Sequence, residues 1–209
     1  MKITALKPQQ RNPKRVSVFL DGAFAFGVHQ ETIARLGLAV GREVDRAELD
    51  RLLEEEELRK CRDYALLLLT YRARTRAELE QRLVRKGFAP GIAQRTITRL
   101  QELKLVDDAR FAQGFVQDRI SIGHKGRWRV RAELTKRGVG RQEIEEALRS
   151  APDETQAARE LVEQFGRRYA RLEPEVRRRR LYALLARRGF AVDTIREVLR
   201  FDDAVEPTE

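Results

Sequence analysis

Cysteine, methionine and tryptophan occur once each in these 209 residues, and histidine only twice. A single cysteine, Cys61, allows no intrachain disulfide, and a reducing compartment is its natural setting. His29 and His124 stand in different regions and share no metal-ligand spacing, so no metal centre is read. No glycine-rich loop runs into a lysine and a hydroxyl residue, which excludes a P-loop. The longest apolar run, Ala65 to Leu69, is too short to cross a bilayer. The first residues hold no apolar signal-peptide core. These absences point to a cytoplasmic protein that is not an enzyme, with no cofactor and no membrane attachment.

What the chain has is charge and helical periodicity. Charged residues make up 36% and apolar residues 42%, and the formal net charge is +10. The excess is uneven. Residues 1–61 hold 11 basic and 10 acidic side chains, whereas residues 62–209 hold 32 and 23. The positive field therefore belongs to the later part. It would attract nucleic acid, anionic lipid or an acidic protein surface, and charge alone does not choose among them.

Residues 1–61 predict a β-ribbon followed by short helices. Lys2–Leu6 is a short strand. Arg15–Leu20 and Ala23–Val28 flank Asp21-Gly22, a pair that suits the positive φ angles of a type I′ hairpin turn. Pro8 to Pro13 is expected to be a loop. Phe19, Phe24 and Phe26 are expected to pack between ribbon and helix. His29–Leu36 is a short helix, and Asp45 with Glu48 forms a capping box for another. The run Glu54–Glu57 reads as a solvated helix face. Tyr64–Tyr71 looks apolar enough for the middle of a bundle.

A 51-residue period then emerges. Gly87, Gly138 and Gly189 mark it. Four residues before each stands leucine (Leu83, Leu134, Leu185), and eight before stands Leu79, Val130 or Leu181. One before stands Lys86, Arg137 or Arg188; ten after stands Ile97, Leu148 or Leu199. A mainly α fold is expected, with three tandem three-helix repeats, each with a small core, in an elongated array. The repeats are placed at 62–105, 106–150 and 151–203, with a frayed tail at 204–209. Thr75-Arg76-Ala77-Glu78 is a second capping box. Phe111 and Phe115 share one helix face, with Arg110 and Arg119 directed elsewhere, and Ser121–Gly126 is a linker. An extended basic surface suits a long partner better than a small substrate.

Few residues suggest chemistry. Asp107-Asp108 could be paired acids, but adjacent carboxylates at a helix start are more simply caps that satisfy free N–H groups. Cys61 has no base beside it. The basic clusters are the functional material. Lys125 to Arg131 is the densest, with Arg127 and Arg131 one turn apart; Trp128 within it is expected to pack between repeats rather than stack on a partner. Arg177–Arg180 is a second cluster that wraps around its helix, able to meet a phosphate backbone without reading sequence.

These motifs resemble the bacterial RecX family. The likeness rests on Thr75-Arg76-Ala77-Glu78-Leu79, Leu83 and Lys86-Gly87-Phe88. It continues through Leu105-Val106-Asp107-Asp108-Ala109-Arg110-Phe111-Ala112, Lys125-Gly126, Arg129, Glu133-Leu134 and Lys136-Arg137-Gly138-Val139. The resemblance implies a regulator of the RecA recombinase, concerned with homologous recombination, DNA repair and the SOS response. It would bind RecA within its filament on single-stranded DNA and suppress ATPase, coprotease and strand-exchange activity. The chain would be a monomer when free, with weak direct contact to DNA as a further expectation. On charge and expected exposure, the partner-binding candidates are Arg110, Lys125, Arg127, Arg129 and Arg131, joined by Arg177, Arg178 and Arg180. The third repeat departs from the pattern, since it lacks the Asp-Asp-Ala-Arg-Phe-Ala junction. The alternative reading is a basic DNA-binding regulator with helix-turn-helix-like units.

Overall fold

The computed structural model describes residues 1–10 and 12–204, with side chains described through residue 200. The tail expected at 204–209 lies outside the described residues, except for Ala204, the last residue of the final helix. Two compact units make up the chain. One comprises Met1–Arg72 with Glu80–Glu102. The other comprises Ala73–Leu79 and everything from Leu103 onward.

The first unit opens with an antiparallel meander of β1 (Ile3–Gln9), β2 (Asn12–Leu20) and β3 (Ala23–His29). Asp21 and Gly22 turn the hairpin with φ of 47° and 87°, as a primed turn requires. The loop expected from Pro8 to Pro13 is shorter, because β1 runs to Gln9 and Pro8 pairs with Val16. Proline is tolerated there since β1 is an edge strand, whose missing N–H can face solvent. Val18 faces Phe26 but Phe19 faces Phe24, so Ala25 is an extra residue on β3. That bulge inverts the alternation. Phe26 stays in the core, whereas Phe24 is exposed and sits edge-on to Phe19 at 5.9 Å, contrary to the expected packing of all three rings.

Ile3, Val18, Leu20, Phe26 and Val28 bury against Leu38, Val44, Leu49 and Leu52. Here α1 (Gln30–Leu36) and α2 (Arg46–Tyr71) close over the sheet. Asp45 caps α2 by accepting from the Glu48 N–H at 2.7 Å, while the Glu48 side chain turns to Arg42 rather than back to the cap. α2 runs unbroken through Cys61, and its second half packs on α4 (Pro90–Glu102). Within Tyr64–Tyr71 only one side is covered: Ala65 and Leu68 are buried, whereas Leu66, Leu67 and Tyr71 are exposed. This segment is an amphipathic wall, not the bundle centre expected of it. Between α2 and α4 comes α3 (Arg76–Lys86), whose residues divide between the units.

Glu56 belongs to the acidic run expected to be solvated, yet its side chain is 3% exposed. It accepts hydrogen bonds from the His29 N–H and from the Arg59 guanidinium, and pairs with Arg15 at 2.9 Å. One carboxylate thus ties β2, the β3–α1 corner and α2 together. Burial pushes its pKa up, but the Arg59 hydrogen bonds and the charges of Arg59 and Arg15 outweigh this and hold it below the ordinary value.

The second unit contains α5 (Asp108–Gln117), a π-helical turn (Asp118–Ile122), α6 (Arg127–Lys136), α7 (Arg141–Arg149), α8 (Glu154–Tyr169), α9 (Pro174–Arg188) and α10 (Val192–Ala204). The expected linker from Ser121 therefore begins inside a helical turn. The periodic positions keep their places: Leu83, Leu134, Leu185, Leu79, Val130 and Leu181 are all fully buried. Gly87, Gly138 and Gly189 have φ of 105°, 75° and 84°, the left-handed C-cap conformation. Separate small cores are not what the later repeats have. Ala112, Val130, Leu148, Leu161, Leu185 and Leu199 belong to one continuous buried cluster. A three-helix unit with so few large apolar residues cannot bury its face alone and completes its core against its neighbour.

Glu56→Gln is expected to destabilise the chain by about 2–3 kcal/mol in urea unfolding at pH 7, by leaving Arg15 without its counter-charge and Arg59 with only that of Asp63. Because the Glu56 carboxyl titrates lower in the folded state than its ordinary 4.5, its stabilising contribution is complete above that pH. It drains as pH falls toward the lowered folded value. Stability curves of parent and variant should therefore converge as pH falls from the ordinary 4.5 through the lowered folded value; curves that stay parallel into acid would contradict this role.

Candidate partner interface and the joints that position it

The basic candidates stand on helices whose ends are joined to one another. At the first joint, Thr75 is fully buried. Its hydroxyl donates to the Arg137 carbonyl at 2.6 Å and accepts from the Glu78 N–H at 3.1 Å. Asp108 accepts from the Arg76 N–H at 2.8 Å, so the first residue of α5 caps α3. Asp107 meanwhile caps its own helix through the Arg110 N–H. Burial raises the Asp108 pKa, with the Arg76 N–H and charge pulling partly back. The carboxylate pair is a double cap, each acid serving a different helix.

The second joint repeats the design with different residues. The Gly126 and Trp128 N–H groups at the start of α6 donate to the Arg188 and Gly189 carbonyls at the end of α9, at 3.0 and 3.1 Å. Glu154, the first residue of α8, accepts from the Arg127 N–H at 2.6 Å. Its other oxygen faces the Ala191 N–H and the Thr194 hydroxyl, where α10 begins. Asp153 caps α8 through Thr155. Asp153-Glu154 thus performs the task of Asp107-Asp108, and the third repeat, read as lacking this junction, has it. The equivalence was hidden because α9, with 15 residues, is longer than α6, with 10, so aligning on the glycines slides the acids apart. The acid pair that follows a loop at Pro152 was the available signal.

The arginines before Gly138 and Gly189 belong to the joints too. Arg137 pairs with Glu78, and Arg188 donates to the Gly123 carbonyl at 3.1 Å. Arg137 also lies over the Phe115 ring, with Arg119 over the same ring at 4.8 Å and Phe111 stacked beside it. Arg119 thus shares the aromatic face from which it was expected to diverge. Next to this cluster lies a groove of about 420 Å3, lined by Phe111, Phe115 and Leu105 with Arg74, Lys104 and Arg110.

The structure spreads the predicted site residues over three settings. Arg110 is exposed at that groove and makes no ion pair among the described residues. Lys125 and Arg129 are gathered with Arg119 around Glu133, at 2.7, 3.1 and 3.5 Å, and Lys125 is only 26% exposed. Burial pushes the Glu133 pKa up, yet Lys125 and Arg129 hold it below the ordinary value. Arg131 pairs with Glu145 at 3.0 Å and lies over Trp128. Arg127 is half-buried. Trp128 itself is 65% exposed, so it does not pack between repeats as expected. It stands out, with Arg127 and Arg129 beside it in sequence. On α9, Arg178 and Arg180 are exposed and Arg177 is half-buried; Arg180 lies over Tyr169 at 5.7 Å. Among the described residues no group of three or more His, Cys, Asp and Glu could hold a metal ion. No helix among the described residues is long and apolar enough to cross a membrane.

Comparison with known proteins matches this architecture segment by segment. Residues 1–45 match the regulatory protein RecX N-terminal domain, and residues 61–100, 107–148 and 152–199 match the first, second and third RecX three-helix domains. The regulatory protein RecX of Bacillus subtilis is 30% identical over 92% of this chain and 74% of its own length. That of Clostridium botulinum strain Alaska E43 is 30% identical over 95% of both. The chain belongs to the RecX family. A crystal structure of regulatory protein RecX superposes with a TM-score of 0.76 at 23% identity, covering 95% of this chain and 98% of that one. RecX from Lactobacillus salivarius gives 0.68 at 24%, covering 72% and 99%, and both support the fold. RecX proteins are regulators, and the three-helix repeats seen here are the family's domains.

Gly126→Ala should break the second joint. A Cβ there would lie 2.1 Å from the Gly189 carbonyl oxygen, a backbone atom that cannot step aside. A loss of about 3 kcal/mol is expected, at the upper end for overpacking. Gly91→Ala, in a helix with nothing near the new methyl, should instead be neutral or stabilise by up to about 1 kcal/mol. Thermal melts of the two variants decide this; equal melting temperatures would remove the joint as a determinant of stability.

Proposed function

We propose that this chain binds RecA and the RecA filament on single-stranded DNA, without catalysis of its own, and inhibits ATPase, coprotease and recombinase activity. In the cell this restrains homologous recombination, DNA repair and the SOS response, in the cytoplasm. The observation that carries the reading is the exposed Trp128 in a basic setting, on a chain of a regulatory family. Exposed tryptophan beside arginine is the composition of a binding hot spot, because both bury large area when a partner seals them from water. Glu133 and Glu145 hold Arg129, Lys125 and Arg131 in place beforehand, so little side-chain freedom is lost on binding. Arg110 and Arg127 supply further charge, and Arg110 borders a groove able to take an apolar side chain.

The second reading, a DNA-binding regulator with helix-turn-helix-like units, draws on α9. Its exposed Arg178, Arg179 and Arg180 suit a phosphate backbone, met without sequence readout.

Purified chain should slow DNA-stimulated ATP hydrolysis by RecA when present well below the RecA concentration, and Trp128→Ala should raise the amount needed by about 30-fold without loss of helicity. Lack of inhibition at equimolar protein in low salt would sink the RecA reading. Quenching of the single tryptophan by bare single-stranded DNA, with no effect on RecA, would favour the second.

A further inference from the structure

The first unit holds a concentration of arginine outside the basic clusters read from the sequence. A cleft of about 660 Å3 lies among α1, α2 and α4, with Arg35, Arg59, Arg62, Arg95 and Arg99 in its lining against the carboxylates of Glu31 and Glu55. The arginines are not equally committed. Arg59 is fixed by Glu56 and by Asp63 at 2.8 Å. Arg35, Arg95 and Arg99 meet Glu55, Glu54 and Glu102 in pairs whose members are largely solvent-exposed, and such pairs exchange readily for a better anion. Arg62 is exposed and makes no ion pair among the described residues.

The lining also contains Thr96, which is 4% exposed. Its buried hydroxyl has only the Cys61 sulfur as a hydrogen-bond partner. The polar group beside it is the Cys61 thiol, a weak donor and weak acceptor whose own pKa burial raises. A helical threonine ordinarily bonds the carbonyl one turn back, and a buried polar group left unmatched lowers stability. Valine would fill the same volume without that penalty. Arg95 and Arg99 lie one turn apart on α4 and bracket Thr96 in sequence, and Arg62 stands on α2 across the cleft.

We propose that this cleft is a phosphate site, in which Arg62, Arg95 and Arg99 hold the oxygens and Thr96 contributes a hydroxyl donor. Planar guanidiniums from two helices match a tetrahedral anion with several oxygens, and they do so bidentately. The volume exceeds that of one phosphate group and admits the sugar to which it is esterified, so the ligand is a nucleotide unit, either within a strand or free. The site is independent of the RecA reading, since no residue of it belongs to the Trp128 surface.

The test uses the full chain and follows protection against thermal unfolding and affinity by calorimetry, with tetrathymidylate, thymidine diphosphate and hexaglutamate as probes. Arg62→Gln/Arg95→Gln should weaken binding of the thymidine probes at least 10-fold. A control of equal net charge, Arg168→Gln/Arg171→Gln on the other unit, should leave their binding within about 2-fold of the parent. Thr96→Val should melt higher than the parent without ligand and bind several-fold more weakly. Tighter binding of tetrathymidylate assigns the strand, and tighter binding of thymidine diphosphate assigns the free nucleotide; either supports the site. Unchanged affinity in either cleft variant, or hexaglutamate binding as well as the thymidine probes, overturns it, the latter by making the cleft a seat for acidic protein. RecA inhibition measured on the same variants should be unaltered, so failure here leaves the RecA reading standing, and the reverse.

Discussion

Helix ends leave N–H and C=O groups with no partner inside the helix, and two buried or half-buried carboxylates in this chain settle that debt across repeats. Asp108 meets the first N–H of α3, and Glu154 meets the first N–H of α6. In both cases the carbonyls at the end of the next long helix arrive at the same place. The Thr75 hydroxyl takes the carbonyl before Gly138, and the α6 amides take those at Arg188 and Gly189. The dipoles agree with this arrangement, since a negative helix end and a carboxylate both meet a positive helix start. The shared core from Ala112 to Leu199 supplies most of the hydrophobic stabilisation. It packs in one register because the ends are fixed in one way.

The joints also decide which charges are free to act. The chain is rich in arginine, but Arg137 and Arg188 serve the joints, and Arg119, Arg129 and Lys125 surround Glu133. Outward-facing bases include Arg62, Arg110, Arg129 beside Trp128 and, on α9, Arg179 and Arg180. Near Trp128 the internal acids orient the bases, which favours a partner that recognises shape as well as charge.

Much of the fold was legible because periodicity reports burial directly. The apolar residues four and eight positions before the glycines are buried wherever the period places them, and Asp21-Gly22 makes the turn its two residues favour. Departures arise where local sequence does not carry the deciding information. Glu56 sits in a run of four acids and reads as solvated; Arg15 and the His29 N–H, both far away in sequence, join Arg59 in making it a buried anchor. Phe24 alternates correctly with Phe26 until a one-residue bulge removes it from the core. The candidate surface was legible as composition, not as geometry. Sequence shows arginines beside a tryptophan, but which of them face water depends on Glu133 and Glu145, which composition counts only as opposing charges.

The second joint is made largely of backbone. Gly126 and Gly189 touch as main chain, and the one side chain essential to capping α6 is a carboxylate whose counterpart at the first joint is shorter by one carbon. A connector with so little dependence on side-chain identity tolerates drift in everything between the connectors. Copies of the unit can then diverge on their outer surfaces, one acquiring a tryptophan and another a belt of arginines, without losing the ability to be spliced end to end. On this view the lineage varies its repeats as a sentence varies its words, while the grammar is kept by a glycine, a carbonyl and an acid.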